Sequence, residues 1–233
     1  MRINNYTLTA IFLFLSISLS FAQKDSMKQV KYTPDFKFND GIFLSFNQVK
    51  ENNAISKSKI ETSEDLNSID FFKNVLSNET IILFDKNGMR REVAVKDIWG
   101  YSNQGVLYIQ YNDEFVRVPI VGSISHFVMN VTVQENRISD PFNPYYNPYY
   151  YDPMQQNGRY TSTELRQYII DFETGNIVDF DKSNLKVLLM RDPELYDEYN
   201  NLSRRKQRKM MFFFLRRFND RNPLLIPVHE NSK

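Results

Sequence analysis

The residues Thr80-Ile81-Ile82-Leu83-Phe84-Asp85-Lys86-Asn87-Gly88 pass from a β-branched, aromatic run straight into a turn. Asn87-Gly88 is the strongest short hairpin signature, because a type I′ turn needs positive φ at both central residues. With those two as the loop, the spacing predicts that Asp85 faces Arg90 and Ile82 faces Val93. The same grammar repeats downstream. Gly100 and Asn103-Gln104-Gly105 mark a turn, Val106 to Tyr111 a strand, Asn112-Asp113-Glu114 a turn, and Phe115 to Val121 another strand. Pro119 puts that strand on an edge or at a bulge, since proline has no N–H to give to a ladder. Gly122 breaks it, and Ile124 to Val133 is the last of the strands between Glu79 and Gln134. Closely spaced strands of this kind predict a meander that curls into a small barrel or half-barrel.

On the N-terminal side, Gln23 to Asn39 is polar, is interrupted by Pro34, and reads as an extended lead-in. Asp40-Gly41 is a turn before the short strand Ile42 to Phe46. Glu51 to Ser68 reads as loop or weak edge strand, and Ser68 to Leu76 as a short helix. Residues 137–163 differ in kind: they carry Pro141, Pro144, Pro148 and Pro153, and Asn-Pro-Tyr-Tyr occurs at 143–146 and again at 147–150. A stretch this long without periodicity predicts a mobile Tyr/Pro/Asn-rich insertion. Leu165 to Phe172 and Asn176 to Phe180 then form a hairpin about Glu173-Thr174-Gly175. Ser183 is placed to cap a helix carrying Leu185, Leu188 and Leu189, and Asp192-Pro193 starts another, with Leu195, Tyr199 and Leu202 at helical spacing. Asn219 to Asn222, followed by Pro223, ends the last helix. The expected class is α+β: an antiparallel β-meander or small half-barrel covered by C-terminal helices, in a single domain over residues 23–233.

Composition narrows the compartment and the chemistry. Lys and Arg number 29 against 28 Asp and Glu, with no Cys, seven Gly and two His. A balance so near zero argues against nucleic acid as partner. Without Cys there is no disulfide, thiol nucleophile, Cys-bound zinc or iron–sulfur cluster. Few glycines disfavour a phosphate-cradling loop. At the start, Arg2 precedes the apolar run Ile11 to Phe21, and Ser20 and Ala22 are small residues at −3 and −1 of a cut before Gln23. That layout predicts a secretory signal peptide over residues 1–22, cleaved near Ala22. The run is too short for a transmembrane helix. The expected location is therefore outside the cytosol, in the periplasm or at the cell surface, with no transmembrane span in the mature chain.

Several residue sets could carry function. His126 lies within Ser-Ile-Ser-His-Phe, and Ser123 or Ser125 could complete a nucleophile pair, but no Gly-x-Ser-x-Gly elbow accompanies them. His229 falls near the end of the chain. In the 165–181 hairpin, Asp171, Asp179 and Asp181 are expected to share one face, which could hold a cation or an acid/base pair, or be solvated surface. Asp85-Lys86-Asn87-Gly88 lacks the later ligands of an EF-hand and reads as a turn. Within the insertion, Tyr145, Tyr146, Tyr149, Tyr150 and Tyr151 offer large aromatic contact area and are candidate partner-binding residues. Arg204, Arg205, Lys206, Arg208 and Lys209, followed by Met210 to Leu215 and by Arg216 and Arg217, suggest a helix on an anionic membrane surface. The alternative is a covering helix whose basic residues pair with Asp192, Glu194, Asp197 and Glu198.

The stretches Phe38 to Phe46, Val95-Lys96-Asp97-Ile98-Trp99-Gly100-Tyr101 and Val121-Gly122-Ser123-Ile124-Ser125-His126-Phe127 resemble small exported proteins of unknown function from Bacteroidetes. That resemblance implies an envelope location and carries no activity. The short strands also look like a small SH3- or PRC-type barrel, which would imply binding over catalysis. The leading expectation is an exported cell-envelope protein that binds an envelope protein or glycan partner, with no catalytic residue, metal or cofactor. The rivals are an envelope hydrolase using Asp171, Asp179 or His126, and a peripheral membrane-surface binder acting through residues 204–218.

Overall fold

The structure, a computed structural model, describes residues 28–85, 87–136 and 159–228. In chain order the first elements are β1 (Gln29–Lys31), β2 (Gly41–Phe43), α1 (Phe46–Lys50), β3 (Ile60–Glu61), α2 (Phe71–Val75) and β4 (Thr80–Phe84). Then come β5 (Arg90–Ala94), β6 (Gly100–Asn103), β7 (Val106–Tyr111), β8 (Glu114–Arg117), β9 (Ile124–Asn136) and β10 (Arg159–Asp171). The chain closes with β11 (Ile177–Asp179), α3 (Lys182–Leu189), α4 (Pro193–Asn200), α5 (Arg204–Arg221) and β12 (Leu225–Pro227).

The class is α+β, and the strands pair antiparallel. The expected meander is present, divided among several short sheets. β3-β4-β5, β2-β6-β7-β8 and β11-β10-β9 are separate sheets, β1 pairs with β12, and none closes into a barrel. The break comes after β5, where the 3₁₀ turn Val95–Asp97 lifts the chain off the first sheet before β6 pairs with β2. The sheets are stacked by their side chains. Ile81 and Leu83 of β4 pack with Phe71 and Phe72 of α2 against Ile42 and Ile98. Phe43, Leu107 and Ile109 turn the other face of the β2-β6-β7-β8 sheet onto Phe127, Tyr168 and Ile170. On the far side of β9 and β10, Ile124 and Ile169 meet Leu185, Leu189, Leu195, Phe214, Leu215 and Phe218 of the three C-terminal helices. Two of the sheets are thus buried on both faces.

Turn chemistry sets the registers. The β4–β5 hairpin pairs Ile81 with Val93 and Phe84 with Arg90, one residue away from the register expected from Asn87-Gly88 as a two-residue loop. Among the described residues of the turn only Gly88 takes the left-handed conformation, at φ 77°, and Asp85 holds the turn. Its carboxylate accepts from the N–H of Asn87 at 2.7 Å and of Met89 at 2.8 Å, an Asx-type turn that displaces the type I′ loop. The shift puts Ile81, Leu83 and Val93 on the buried face together. Type I′ geometry occurs instead at Gln104-Gly105 and Asn112-Asp113, where all four residues have positive φ and single turns join β6 to β7 and β7 to β8.

Other boundaries also move. Phe46 opens α1 rather than ending a strand, because Ser45 accepts from the Gln48 N–H and caps it. Asp181, not Ser183, caps α3, accepting from Ser183 N at 2.7 Å and Asn184 N at 2.8 Å. Asp192 caps α4 with Pro193 at its first position, as the Asp-Pro pair predicts. β9 and β10 pair from Ile124↔Asp171 out to Asn136↔Arg159, so residues 159–163 belong to a long ribbon and not to the insertion. The helical coverage is confirmed in kind, but the surface that α5 covers is the β9–β10 sheet. Among the described residues, no helix is long and apolar enough to cross a membrane.

Candidate functional site

His126 projects from β9 toward the helices and is almost fully buried. Its Nε2 lies 3.0 Å from Gln167 Oε1, so that nitrogen carries the proton and Nδ1 is the bare one. The edges of Phe180 and Phe212 close over the ring at 5.0 and 4.8 Å between centroids. Nδ1 is buried without a hydrogen-bond partner among the described residues. Burial pushes the imidazole below its ordinary value of 6.5, and the Gln167 bond offsets this in part. The serines are committed elsewhere. Ser125 alternates to the opposite face, where its hydroxyl donates to Gly122 O at 3.0 Å, and Ser123 donates to Asn222 O at 2.6 Å. The sequence places these residues side by side, and the strand pleat separates them.

The carboxylate pair is separated in the same way. β10 and β11 pair Tyr168 with Asp179 and Ile170 with Ile177, so Asp179 shares a face with Tyr168 while Asp171 shares one with Ile169. The expectation of one common face fails because the loop is longer by a residue: Asp171 N donates to Asn176 O at 2.9 Å, with Phe172 to Gly175 in the turn. Asp171 is a structural acid. Arg191 Nη1 donates to it at 2.8 Å and to Glu173 at 2.7 Å, and Thr174 Oγ1 donates at 2.9 Å. These bonds tie the β10–β11 turn to the end of α3. Next to them, Lys50, Ser123, Phe172, Arg191, Phe218 and Leu224 line a cleft of about 340 Å³.

A second recess, of about 440 Å³, has a lining that no residue-by-residue reading assembled. Across the Gln104-Gly105 turn Tyr101 pairs with Tyr108, and their rings stack at 4.7 Å with only 6° between planes. Phe72 of α2 stacks on the free side of Tyr101 at 4.8 Å, and Phe115 meets it edge-on at 5.3 Å. The rim is mixed. Asp70, Lys73 and Asn103 are polar, whereas Ile69 is 70% exposed. Asn103 Nδ2 donates to Ile69 O at 3.2 Å and anchors the segment leading into α2. Gly100 allows the tight approach behind Tyr101, since a Cβ there would stand 2.3 Å from Tyr108 O. Burial, then the neighbouring Tyr108, pushes the Tyr101 phenol up to about 12, so it stays protonated at any physiological pH. Such a recess, aromatic in its floor but more polar than apolar in its exposed lining, has the size of a small-ligand or chain-binding site. The sequence signal was Tyr101 and Tyr108 flanking Gln104-Gly105 symmetrically; reading that turn as type I′ would have faced the two rings.

The remaining sequence candidates divide. Tyr145, Tyr146, Tyr149, Tyr150, Tyr151 and His229 lie outside the described residues. Arg204, Arg205, Lys206, Arg208 and Lys209 form the exposed first half of α5. Of the expected basic–acidic pairs, the structure forms those at the other end of α5. Arg217 binds Glu198, and Arg221 binds Asp192 and Glu194, the last two each at 2.7 Å.

Fold and recess together define an antiparallel α+β protein with a preformed aromatic groove. In comparison with known proteins, residues 155–222 match the model of a family of unknown function (DUF6563). The match spans the described part of β10 through α5: the hairpin, the Arg191 network and the three packed helices. It does not reach the stretches at 38–46, 95–101 and 121–127. No curated protein and no solved structure matches the chain.

Proposed function

We propose that this chain is an exported cell-envelope protein that binds a glycan in the groove formed by Phe72, Tyr101, Tyr108 and Phe115. The observation that carries this reading is the stacked Phe72–Tyr101–Tyr108 platform beside open space, with Asp70, Lys73 and Asn103 at its rim. The C–H faces of a sugar ring suit aromatic faces, and its hydroxyls need polar partners at the edge. Export is supported by the Arg2, Ile11–Phe21 and Ser20-x-Ala22 layout, and an exported chain would meet envelope glycans. In this reading the protein supplies recognition without chemistry of its own, and Tyr145, Tyr146, Tyr149, Tyr150 and Tyr151 are further candidate partner-binding residues on the strength of the sequence. The hydrolase alternative loses its support, because neither Asp171 and Asp179 nor Ser125 and His126 share a face.

Co-sedimentation with purified peptidoglycan sacculi tests the proposal. Tyr108→Ala and Phe115→Ala should each weaken retention about tenfold, the order expected for one stacking partner and its buried area. Deleting residues 141–154 should lower retention further if the tyrosines contribute. Retention of the Tyr108 and Phe115 variants equal to that of the unaltered protein would remove the groove from consideration.

A further inference from the structure

The cations of α5 fall into two groups with opposite surroundings. Arg217 and Arg221, near its C-terminal end, are bound by carboxylates of the α4 segment. Arg204, Arg205, Lys206, Arg208 and Lys209 are exposed, and among the described residues no carboxylate forms an ion pair with any of them. This arrangement costs helix stability. Arg204 and Arg208, and Arg205 and Lys209, are like charges at i, i+4. They also crowd the positive end of the helix dipole, with no acid in the first turn and no side-chain cap from Ser203.

A large apolar ring, Phe213, stands among these charges. Phe214, Leu215 and Phe218 define the inward face of α5, buried against the β9–β10 sheet. On the outward side Arg205, Lys209 and Arg216 recur at i, i+4 and i+11, with Phe213 beside them. Phe212 is 38% exposed and Phe213 50%. Phe212 packs back on His126 and Phe180, each at 4.8 Å, whereas Phe213 stays on the surface with the Arg217 guanidinium 5.9 Å over its ring. Charge alone would suit any polyanion. An exposed aromatic ring among the cations, Phe213, favours a surface with an apolar layer beneath its anionic groups.

We propose that the outward face of α5 docks on an anionic lipid bilayer, with Arg205, Lys209 and Arg216 at the phosphate level and Phe213 entering the acyl boundary. The helix lies in the interface and does not cross. Its inward face stays packed on the protein, so docking requires no unfolding. This inference is independent of the glycan groove, which is built from other elements.

The test is vesicle co-sedimentation of the full chain. Vesicles of phosphatidylglycerol with phosphatidylcholine are compared with phosphatidylcholine alone, because the apolar residues 11–21 are common to all variants and cancel in the difference. Binding should favour the anionic vesicles and fall steeply as salt is raised. Arg205→Glu/Lys209→Glu should lower anionic-vesicle partitioning by roughly 25-fold or more, whereas Lys96→Glu should leave it unchanged. Phe213→Ser should weaken it several-fold without altering the salt dependence. A separate variant, Arg204→Glu/Arg205→Glu, should raise the thermal midpoint by about 2 °C while weakening binding, since it relieves the clash with the helix dipole. Indifference of partitioning to Arg205→Glu/Lys209→Glu would overturn the proposal. Binding to duplex DNA or soluble polyglutamate that matches vesicle binding and ignores Phe213→Ser would overturn it as well, assigning the cations to a soluble polyanion.

Discussion

At the scale of single residues, Asp171 and Asp179 show how far a shared residue type is from a shared role. Asp171 receives bonds from Arg191, Thr174 and the Glu173 N–H, and it is nearly buried. Asp179 is exposed and opposite Tyr168. Replacing Asp171 by Asn removes the charge that answers the Arg191 guanidinium, and should cost about 1–3 kcal/mol in urea unfolding. Asp179→Asn should stay within about 0.5 kcal/mol of the unaltered protein. Equal effects would contradict the asymmetry. Their expected common face depended on loop length, and Glu173-Thr174-Gly175 does not reveal that Phe172 also belongs to the turn. Asp192-Pro193 was legible because a cap and a ring-locked φ act within two residues and need no knowledge of a distant strand.

At the scale of elements, the hairpins carry the same contrast. Type and order of β4, β5, β7, β8 and β9 follow from β-branched alternation between Gly and Asn turns, whereas β6 (Gly100–Asn103) read as turn, and β5 and β8 end earlier than expected, at Ala94 and Arg117. Register does not follow, because a carboxylate outside the assumed loop decides it. Asp85 closes its turn by accepting from Asn87 and Met89, and among the described residues of the turn only Gly88, and not Asn87, has positive φ. Gly88→Ala should therefore cost about 1 kcal/mol, a backbone penalty alone, as its Cβ would meet no atom within 4 Å. Asn87→Ala should be nearly neutral in thermal unfolding. Under a type I′ turn both substitutions would cost alike, so the pair of variants reads the register directly. The groove was illegible for a related reason: Phe72, Tyr101, Tyr108 and Phe115 come from α2, β6, β7 and β8, and only the type I′ turns at Gln104-Gly105 and Asn112-Asp113 bring the strand residues together.

At the scale of the whole molecule, the stack of sheets and helices depends on an interface with titratable groups at both of its ends. His126 lies where α5 crosses β9, held between Gln167, Phe180 and Phe212. At the far end, burial works against the Asp192 carboxylate, but the Leu195 N–H, Asn222 and Arg221 outweigh it and hold its pKa below the ordinary 3.8. Both shifts penalise acid, over different ranges. The folded pKa of His126 is lower than its unfolded 6.5, so the unfolded chain binds more protons between the two values. The stability of the neutral imidazole is complete above pH 6.5 and drains away as pH falls below it. The loss amounts to about 1.4 kcal/mol for each unit by which the folded pKa is displaced. Asp192 keeps its contribution until pH falls below 3.8 and loses it as the carboxylate takes up its proton. Urea unfolding followed from pH 8 downward should therefore decline in two steps, a first below pH 6.5 and a second below pH 4. His126→Phe should abolish the first step and leave the second in place, because a phenyl ring can occupy the Phe180–Phe212 contact without titrating. An unchanged profile in that variant would show that the docking of α5 does not depend on a neutral His126.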